Sequence, residues 1–116
     1  MKDPRILVVH ALECVERVDR FAAGGQAEFL GSELIQGAIL HNLQTMAHSI
    51  MRLPDPLKNG HAEVDWRGLV GFRNVLVHDY LGVSLQRVWD IVQRDLPALR
   101  RALEAMHREL EGSAGR

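Results

Sequence analysis

An arginine, a histidine and a tyrosine lie close together in the second half of the chain, and the arginine occupies a position that should be apolar. On a helix, Arg73 shares a face with the residues three, four and seven positions away, which are Trp66, Leu69, Val70, Leu76, Val77 and Tyr80. Burying a guanidinium there without a partner would cost much free energy, so we predict that Arg73 meets a partner, a cavity or a ligand. Its chemistry suits anions, because a guanidinium stays charged and holds phosphate oxygens in a fork.

A different face of the same helix carries Gly71, Asn74 and His78, which are spaced three and four residues apart. Histidine titrates near neutral pH and can therefore take up or release a proton in a reaction. Gly68 and Gly71 each cost about 1 kcal/mol relative to alanine inside a helix. That cost is tolerable where backbone or a ligand must approach closely, so this segment is a candidate functional site.

The elements that must position these residues are helices, because apolar residues recur at helical intervals between the four prolines. The four principal helices are expected from about Pro4 to Ala22, Gly31 to Leu53, Asp65 to about His78, and Ser84 to Leu110. Pro97 would break the last helix unless it restarts there, with Asp95 as N-cap and Pro97 in the new first turn. The predicted fold class is therefore all-α, a bundle of four principal antiparallel helices with the last one broken near Pro97.

The boundaries of these helices have their own signals. Asp3, Ser32, Asp65 and Ser84 are suitable N-caps, and the pair Gly24-Gly25 is suited to end the first helix. The breaker-rich stretch from Pro54 to Glu63 is expected to be the one long loop. We expect residues 1–110 to form a single helical domain and residues 111–116 a short flexible tail.

Length and composition restrict the class of protein. A chain of 116 residues has room for one domain, and its net charge of −1 argues against the broad basic surface of a typical nucleic-acid binder. Cys14 is the only cysteine, so an internal disulfide and a multi-cysteine metal site are excluded, and we expect Cys14 in the core. No apolar run approaches the ~20 residues of a membrane span, which favours a cytoplasmic protein without membrane contact. Several wide apolar faces in so short a chain favour a homodimer.

The string RNVLVHDY, from Arg73 to Tyr80, resembles the signature of the HEPN superfamily, an arginine followed after four to six residues by a histidine. Its long flanks, FRNVLVHDYLGVSLQRVWDIVQRDLPALR, are similar to the HepT-like ribonuclease toxins within that superfamily. The segments DPRILVVHALE, LIQGAILHNLQTMAHSI and EVDWRGL are similar as well, so the resemblance covers residues 3 to about 107.

The resemblance implies an all-α HEPN bundle that dimerises and acts as a metal-independent endoribonuclease toxin, with no cofactor. Carried over to this chain, it makes Arg73 and His78 the catalytic pair, with Asn74 at the polar position beside the arginine. It also implies a partner, an MntA-like nucleotidyltransferase antitoxin that inactivates the toxin by adding AMP to the motif tyrosine, here Tyr80. The motif itself shows no departure from the family pattern.

This implied chemistry agrees with the residue types. Cleaving RNA without a metal needs a base for the 2′-hydroxyl, an acid for the leaving 5′-oxygen and a cation for the phosphate. One copy supplies one histidine in the motif, whereas a two-fold dimer supplies two across one cleft. On an ideal helix Arg73 and His78 point about 140° apart. Either the helix loosens before His78, or the long arginine curls over to reach it.

Structural roles remain open for each of these residues. Arg73 could form an ion pair with Asp79 or Asp90, Asn74 could be a satisfied polar neighbour, and Tyr80 could pack its ring and hydrogen-bond its hydroxyl. The remaining histidines are not expected to form a metal site: His41 and His48, about 10 Å apart along one helix face, are expected at the helix surface, and His10, His61 and His107 are expected to have no companions. The arginines after residue 86 alternate with acids, which favours a solvated, ion-paired face over an RNA track.

The main alternative function is a helical binding protein that docks a nucleotidyltransferase or RNA without cleaving it. The near-neutral charge favours this alternative, because phosphate binding normally draws on many cations. The intact set of Arg73, Asn74, His78 and Tyr80 argues against it, because docking alone does not require an arginine on an apolar face. Cleavage of RNA by the purified protein distinguishes the two.

Overall fold

The computed structural model describes residues 3–78 and 82–114, and within them the chain is all-α, as predicted. The helices are α1 (Pro4–Phe21), α2 (Gln26–Gly31), α3 (Glu33–Met51), α4 (Asp55–Asn59), α5 (Trp66–His78), α6 (Leu85–Arg94) and α7 (Leu96–Ala114). Tyr80, the predicted site of AMP addition, and Asp79 lie outside the described residues. No helix in the described ranges is long and apolar enough to cross a membrane.

The core lies where α1 packs between α3 and α7. One face of α1 is fully buried, from Leu7 to Val18, and it meets Ile39, Leu43 and Met46 of α3 in one apolar cluster with Leu103 of α7. Burial of such side chains at about 25 cal/mol per Å² is the main term that holds the bundle together. These three helices form the rigid body against which α5 is placed.

The predicted N-caps are confirmed. Asp3 accepts a hydrogen bond from the backbone N–H of Arg5 at 2.9 Å. The hydrogen bonds that the Asp3 carboxylate accepts from the side chain and from the backbone of Arg5 lower the pKa of this carboxyl group. Ser32 accepts from the N–H of Ile35 at the start of α3, Asp65 from that of Gly68 in α5, and Ser84 from that of Arg87 in α6. Each cap satisfies one of the backbone donors that a helix leaves free at its first turn.

The break near Pro97 is also confirmed. The helix α6 ends at Arg94 and α7 begins at Leu96, so Pro97 lies in the first turn, where its missing N–H costs no hydrogen bond. The carbonyl of Asp95, at the junction, accepts from the N–H of Leu99 at 3.1 Å.

Two boundary predictions were wrong. The stretch from Pro54 to Glu63 contains the short helix α4, which begins with Pro56 in its first turn. A further short helix, α2, follows Gly25, because Phe29 is drawn into the core against Trp89 of α6, with ring centroids 5.4 Å apart. The helix α7 extends through Gly112 as far as Ala114, and the flexibility expected for the tail from residue 111 stays a prediction.

The helix α5 is attached to the bundle more loosely than the other long helices. It packs against α3, but only Leu76 of its residues is buried, while Leu69 and Phe72 are half-buried. Its N-terminal end is held by the Trp66 indole N–H, which donates to the carbonyls of Lys58 and His61 at 3.0 Å each. This geometry leaves one side of α5 open, and the predicted catalytic residues lie on this helix.

The two glycines of α5 have different surroundings. A Cβ on Gly68 would fall 2.3 Å from Oδ2 of Asp65, the carboxylate that caps the helix, whereas a Cβ on Gly71 would meet no atom within 4 Å. The sequence predicted that backbone or a ligand comes close to the glycines of α5. At Gly68 the group that comes close is the carboxylate of Asp65, the N-cap of the same helix. Within the described residues, nothing in the single chain requires a glycine at position 71.

We predict different stability effects for alanine at these two positions. Gly71→Ala should raise the free energy of unfolding by about 1 kcal/mol, because it removes the backbone entropy cost without a clash. Gly68→Ala should yield no such gain, because the new methyl displaces the Asp65 cap, whose loss costs about the same amount. Urea denaturation of both variants checks this, and a stabilised Gly68→Ala protein would contradict the assignment of that clash.

Candidate functional site

Arg73 extends from α5 into a groove at the surface of the bundle. The side chain is half-buried. The groove has a volume of about 560 Å³ and lies between the first half of α1 and the last half of α3. Its lining residues are Ile6, Leu7, His10, Gln44, Thr45, His48, Ser49, Arg52 and Arg73. The prediction that Arg73 meets a cavity, rather than entering the core, agrees with this position.

The guanidinium of Arg73 is only partly satisfied. Its Nη1 donates to Oδ1 of Asn74 at 3.2 Å, and its Nε is buried with no hydrogen-bond partner among the described residues. A buried donor without an acceptor costs about 1–3 kcal/mol, which is normally avoided in a native fold. Such an unmatched donor is typical of a site where a ligand supplies the missing acceptor.

The structural alternative for Arg73, an ion pair, has no support in the described part of the chain. No acid there lies within 4 Å of its guanidinium nitrogens, and the carboxylate of Asp90 accepts instead from Nε2 of Gln86 at 3.1 Å. The second proposed partner, Asp79, lies outside the described residues. Farther along, Arg100 forms an ion pair with Asp19, in line with the predicted ion-paired face of α7.

No hydrogen bond in the described part of the chain joins His78 to Arg73. The helix α5 is continuous through His78, so it does not loosen before that residue, and one of the two routes to convergence is excluded. His78 is exposed at the last position of α5, while Arg73 is engaged with Asn74 and the groove. On a continuous helix the two residues, five positions apart, project about 140° from each other, and His78 is not among the residues that line the groove with Arg73.

His10 was wrongly expected to have no companions. Its Nδ1 lies 2.6 Å from Oγ of Ser49, and its Nε2 lies 3.8 Å from Sγ of Cys14, which in turn is 3.4 Å from Oγ1 of Thr45. This chain of contacts joins α1 to α3, and three of its members, His10, Thr45 and Ser49, line the groove. Cys14 itself is fully buried, as predicted for a small core residue.

The expectation of isolation was also wrong for His61 and His107. His61 is buried and contacts two carboxylates, with Nε2 3.0 Å from Oε1 of Glu109 and Nδ1 3.4 Å from Oε1 of Glu63. His107 lies 3.8 Å from Glu111, one helical turn away. His61 connects the segment before α5 to α7, a structural role that no local pattern indicates. In the described ranges no three His, Cys, Asp or Glu side chains form a group that could hold a metal ion.

Arg52 and His48 line the same groove as Arg73, which the sequence did not predict. Both lie on α3 or at its C-cap, four residues apart, and both line the groove. A signal was present, because the chain has no acidic residue from Leu34 to Pro54, so its cations there lack local partners. The pairing of α3 with α5, which brings this segment to Arg73, is a tertiary contact.

Replacing Arg73 by an apolar residue should stabilise the folded protein. We predict that Arg73→Met raises the free energy of unfolding by about 1 kcal/mol, because methionine keeps an apolar stem and removes the unmatched buried donor. The matched variant Arg67→Met, at an exposed position of the same helix, should change stability by less than about 0.5 kcal/mol. Chemical denaturation measures both, and a marked loss of stability in Arg73→Met would indicate a structural arginine.

A family model for Ribonuclease HepT-like proteins matches residues 11–106 of the chain. A "Putative RNase" of Caldanaerobacter subterraneus subsp. tengcongensis is 26% identical over 105 residues, which cover 90% of this chain and 94% of the relative. The "Probable ribonuclease HepT" of Thermococcus cleftensis is 27% identical over 101 residues, covering 87% and 90%.

A third relative is longer. The "Gamma-glutamylcyclotransferase and putative RNase" of Methanocaldococcus jannaschii is 25% identical over 111 residues, which cover 95% of this chain but only 50% of the relative. The chain thus spans half the length of that protein. No solved structure matches the chain. Together with the all-α fold, the family match over residues 11–106 shows that this chain belongs to the HepT-like ribonuclease family.

Proposed function

We propose that this protein is the toxin of a type II toxin–antitoxin system and acts in the cytoplasm as a metal-independent endoribonuclease. Family membership supports a ribonuclease. The observation that carries the proposal to particular residues is the half-buried Arg73, whose Nε has no acceptor in the described part of the chain. A phosphate oxygen of RNA is an acceptor of the right charge for it.

The proposed reaction is attack by a ribose 2′-hydroxyl on the adjacent phosphorus. The base removes the 2′-hydroxyl proton, the 2′-oxygen forms the new bond to phosphorus, and the bond from phosphorus to the 5′-oxygen breaks. The acid gives a proton to the leaving 5′-oxygen, so the products are a 2′,3′-cyclic phosphate and a free 5′-hydroxyl. His78 serves as the acid/base, Arg73 holds the phosphate charge, and Asn74 positions the guanidinium through its 3.2 Å hydrogen bond.

A homodimer would resolve the separation of Arg73 from His78 within one copy. The exposed face of α5, formed by Gly71, Asn74, Val75 and His78, carries an apolar side chain, Val75, that is 44% exposed. Apposition of two such faces about a two-fold axis would cover Val75 and bring each histidine to the other copy's motif.

We expect the purified protein to cut RNA in the presence of EDTA and the variants His78→Ala and Arg73→Ala to lose at least about 100-fold in rate. His41→Ala, at an exposed position of α3, is the matched control and should retain full activity. Gel analysis of a labelled RNA measures the cut, and the end groups should be a cyclic phosphate and a 5′-hydroxyl. Wild-type rates in both motif variants, or loss of cleavage on adding EDTA, would contradict the proposed mechanism.

Mixing the two inactive variants tests whether the site is shared between copies. In a mixed dimer of Arg73→Ala and His78→Ala chains, one of the two composite sites retains both an arginine and a histidine. Random exchange makes about half of the dimers mixed, so activity should return to about a quarter of the wild-type value. A mixture that stays inactive although mixed dimers form would show that each site needs a complete motif from one copy.

The second part of the proposal is regulation by an MntA-like nucleotidyltransferase antitoxin that adds AMP to Tyr80. The tyrosine oxygen would attack the α-phosphorus of ATP, forming a phosphodiester and releasing pyrophosphate and a proton. Tyr80 is two residues from His78 in the chain. An added phosphate there brings negative charge and bulk next to the catalytic histidine, which should exclude the RNA backbone.

Incubation with the purified antitoxin and ATP should increase the mass of the protein in steps of one AMP and abolish RNA cleavage. Tyr80→Phe should prevent both changes, since it removes only the accepting oxygen while keeping the ring. Intact-mass spectrometry and the cleavage assay read the two effects separately. If the phenylalanine variant still gains AMP, the acceptor is another residue.

A further inference from the structure

The groove that receives Arg73 differs from the rest of the surface in its charge. Its lining includes Arg52, Arg73, His10 and His48, and no aspartate or glutamate. Four other surface depressions in the described part of the chain are each lined by three carboxylates. On a chain whose net charge is −1, one groove thus concentrates cations without acids to neutralise them.

The sequence distribution of acids explains this charge. After Glu33 the helix α3 has no acidic residue, and α5 has none at all. These two helices pack against each other, so their acid-free surfaces meet at the groove. The acids lie mainly on α1, α6, α7 and the connecting segments, and the ion pair of Arg100 with Asp19 illustrates the pairing of charges there.

Arg52 is the clearest cation in the groove that the proposed reaction does not use. It follows α3 as its C-cap residue, it is exposed, and no acid among the described residues lies within 4 Å of its guanidinium. His48 is one helical turn earlier, about 6 Å along the axis, and is also exposed. An unpaired guanidinium beside a second donor matches the oxygens of a phosphate.

The groove has room for an extended ligand. Its volume of about 560 Å³ is similar to that of other depressions on the surface, so its size alone selects no ligand, and Ile6, which lines it on α1, is 59% exposed. A ligand that crosses from Arg73 to Arg52 must carry more than one anionic group or one group on a long scaffold. The RNA backbone has both properties.

We propose that Arg52 and His48 bind a phosphate of the RNA backbone next to the one that is cleaved, so that the groove holds the strand in register with Arg73. This inference rests on the proposed function for the identity of its ligand, RNA. It assigns to Arg52 and His48 the binding of the strand and no part in bond cleavage. It also explains how a nearly neutral protein binds a polyanion: the positive potential comes from the arginines of one groove and not from a broad basic surface.

The experiment measures binding of a fluorescent 2′-O-methyl RNA oligonucleotide by anisotropy between 50 and 200 mM salt. This RNA lacks the nucleophilic hydroxyl and therefore reports binding without cleavage. Arg52→Gln should weaken binding roughly 5- to 10-fold at low salt and reduce the slope of log affinity against log salt by about 0.7, the value for one phosphate contact in a single strand. His48→Ala, which removes a hydrogen-bond donor but no guanidinium, should weaken binding less and leave the slope unchanged.

Arg101→Gln is the charge-matched control, because Arg101 is exposed on α7, and the groove is lined by α1, by α3 with its C-cap residue, and by α5. It should change affinity less than about two-fold. Equal effects of Arg52→Gln and Arg101→Gln would overturn the assignment of the groove, as would a wild-type protein that binds no RNA.

The two proposals fail in distinguishable ways. If wild-type protein cleaves RNA and Arg52→Gln binds the 2′-O-methyl strand as wild type does, the ribonuclease stands and the groove is not its strand-binding surface. If wild-type protein binds RNA through Arg52 but never cleaves it, the assignment of the groove as an RNA-binding surface is retained. The protein is then the non-catalytic RNA-binding protein of the alternative hypothesis.

Discussion

The free-energy cost of a half-buried guanidinium is the constraint on which the rest of this structure depends. Arg73 lies on the face by which α5 packs against α3, yet its Nε finds no acceptor in the described residues. The bundle tolerates this because α5 buries little else than Leu76 and is held chiefly at its start, by the cap of Asp65 and the indole of Trp66. The helix α5 therefore buries few apolar side chains, and a groove with polar lining residues lies beside it.

The packing of α3 against α5 also produces a region with few acidic residues, which the net charge of the whole chain does not reveal. A net charge of −1 describes the whole chain, whereas the surface near Arg73 draws on two helices with almost no acids. Field strength at a groove depends on the nearest charges and on the low-dielectric walls around them, and distant carboxylates are screened over about 8 Å at physiological salt. A near-neutral chain can therefore present a site suited to a polyanion.

Much of the fold and part of the site could be predicted from local sequence. The caps Asp3, Ser32, Asp65 and Ser84 and the break near Pro97 follow from side-chain and backbone chemistry within a few residues, and all are confirmed. The short helix α2 could not be predicted in this way, since Phe29 is held by a ring from a distant helix. Nor could the contacts of His10 and His61, whose partners lie 39 and 48 residues away.

The sequence by itself determined the all-α class, the helix boundaries near caps and breakers, and the conflict at Arg73, because each depends on neighbours three or four residues apart. Only the tertiary structure decided what Arg73 meets. It joined Arg52, His48 and Arg73 in one acid-free groove, and it kept α5 helical through His78, which separates that histidine from the arginine within one copy. The physical reason is that packing of α3 against α5 is a long-range contact, selected by burial of both helices' apolar faces, and no local pattern specifies it.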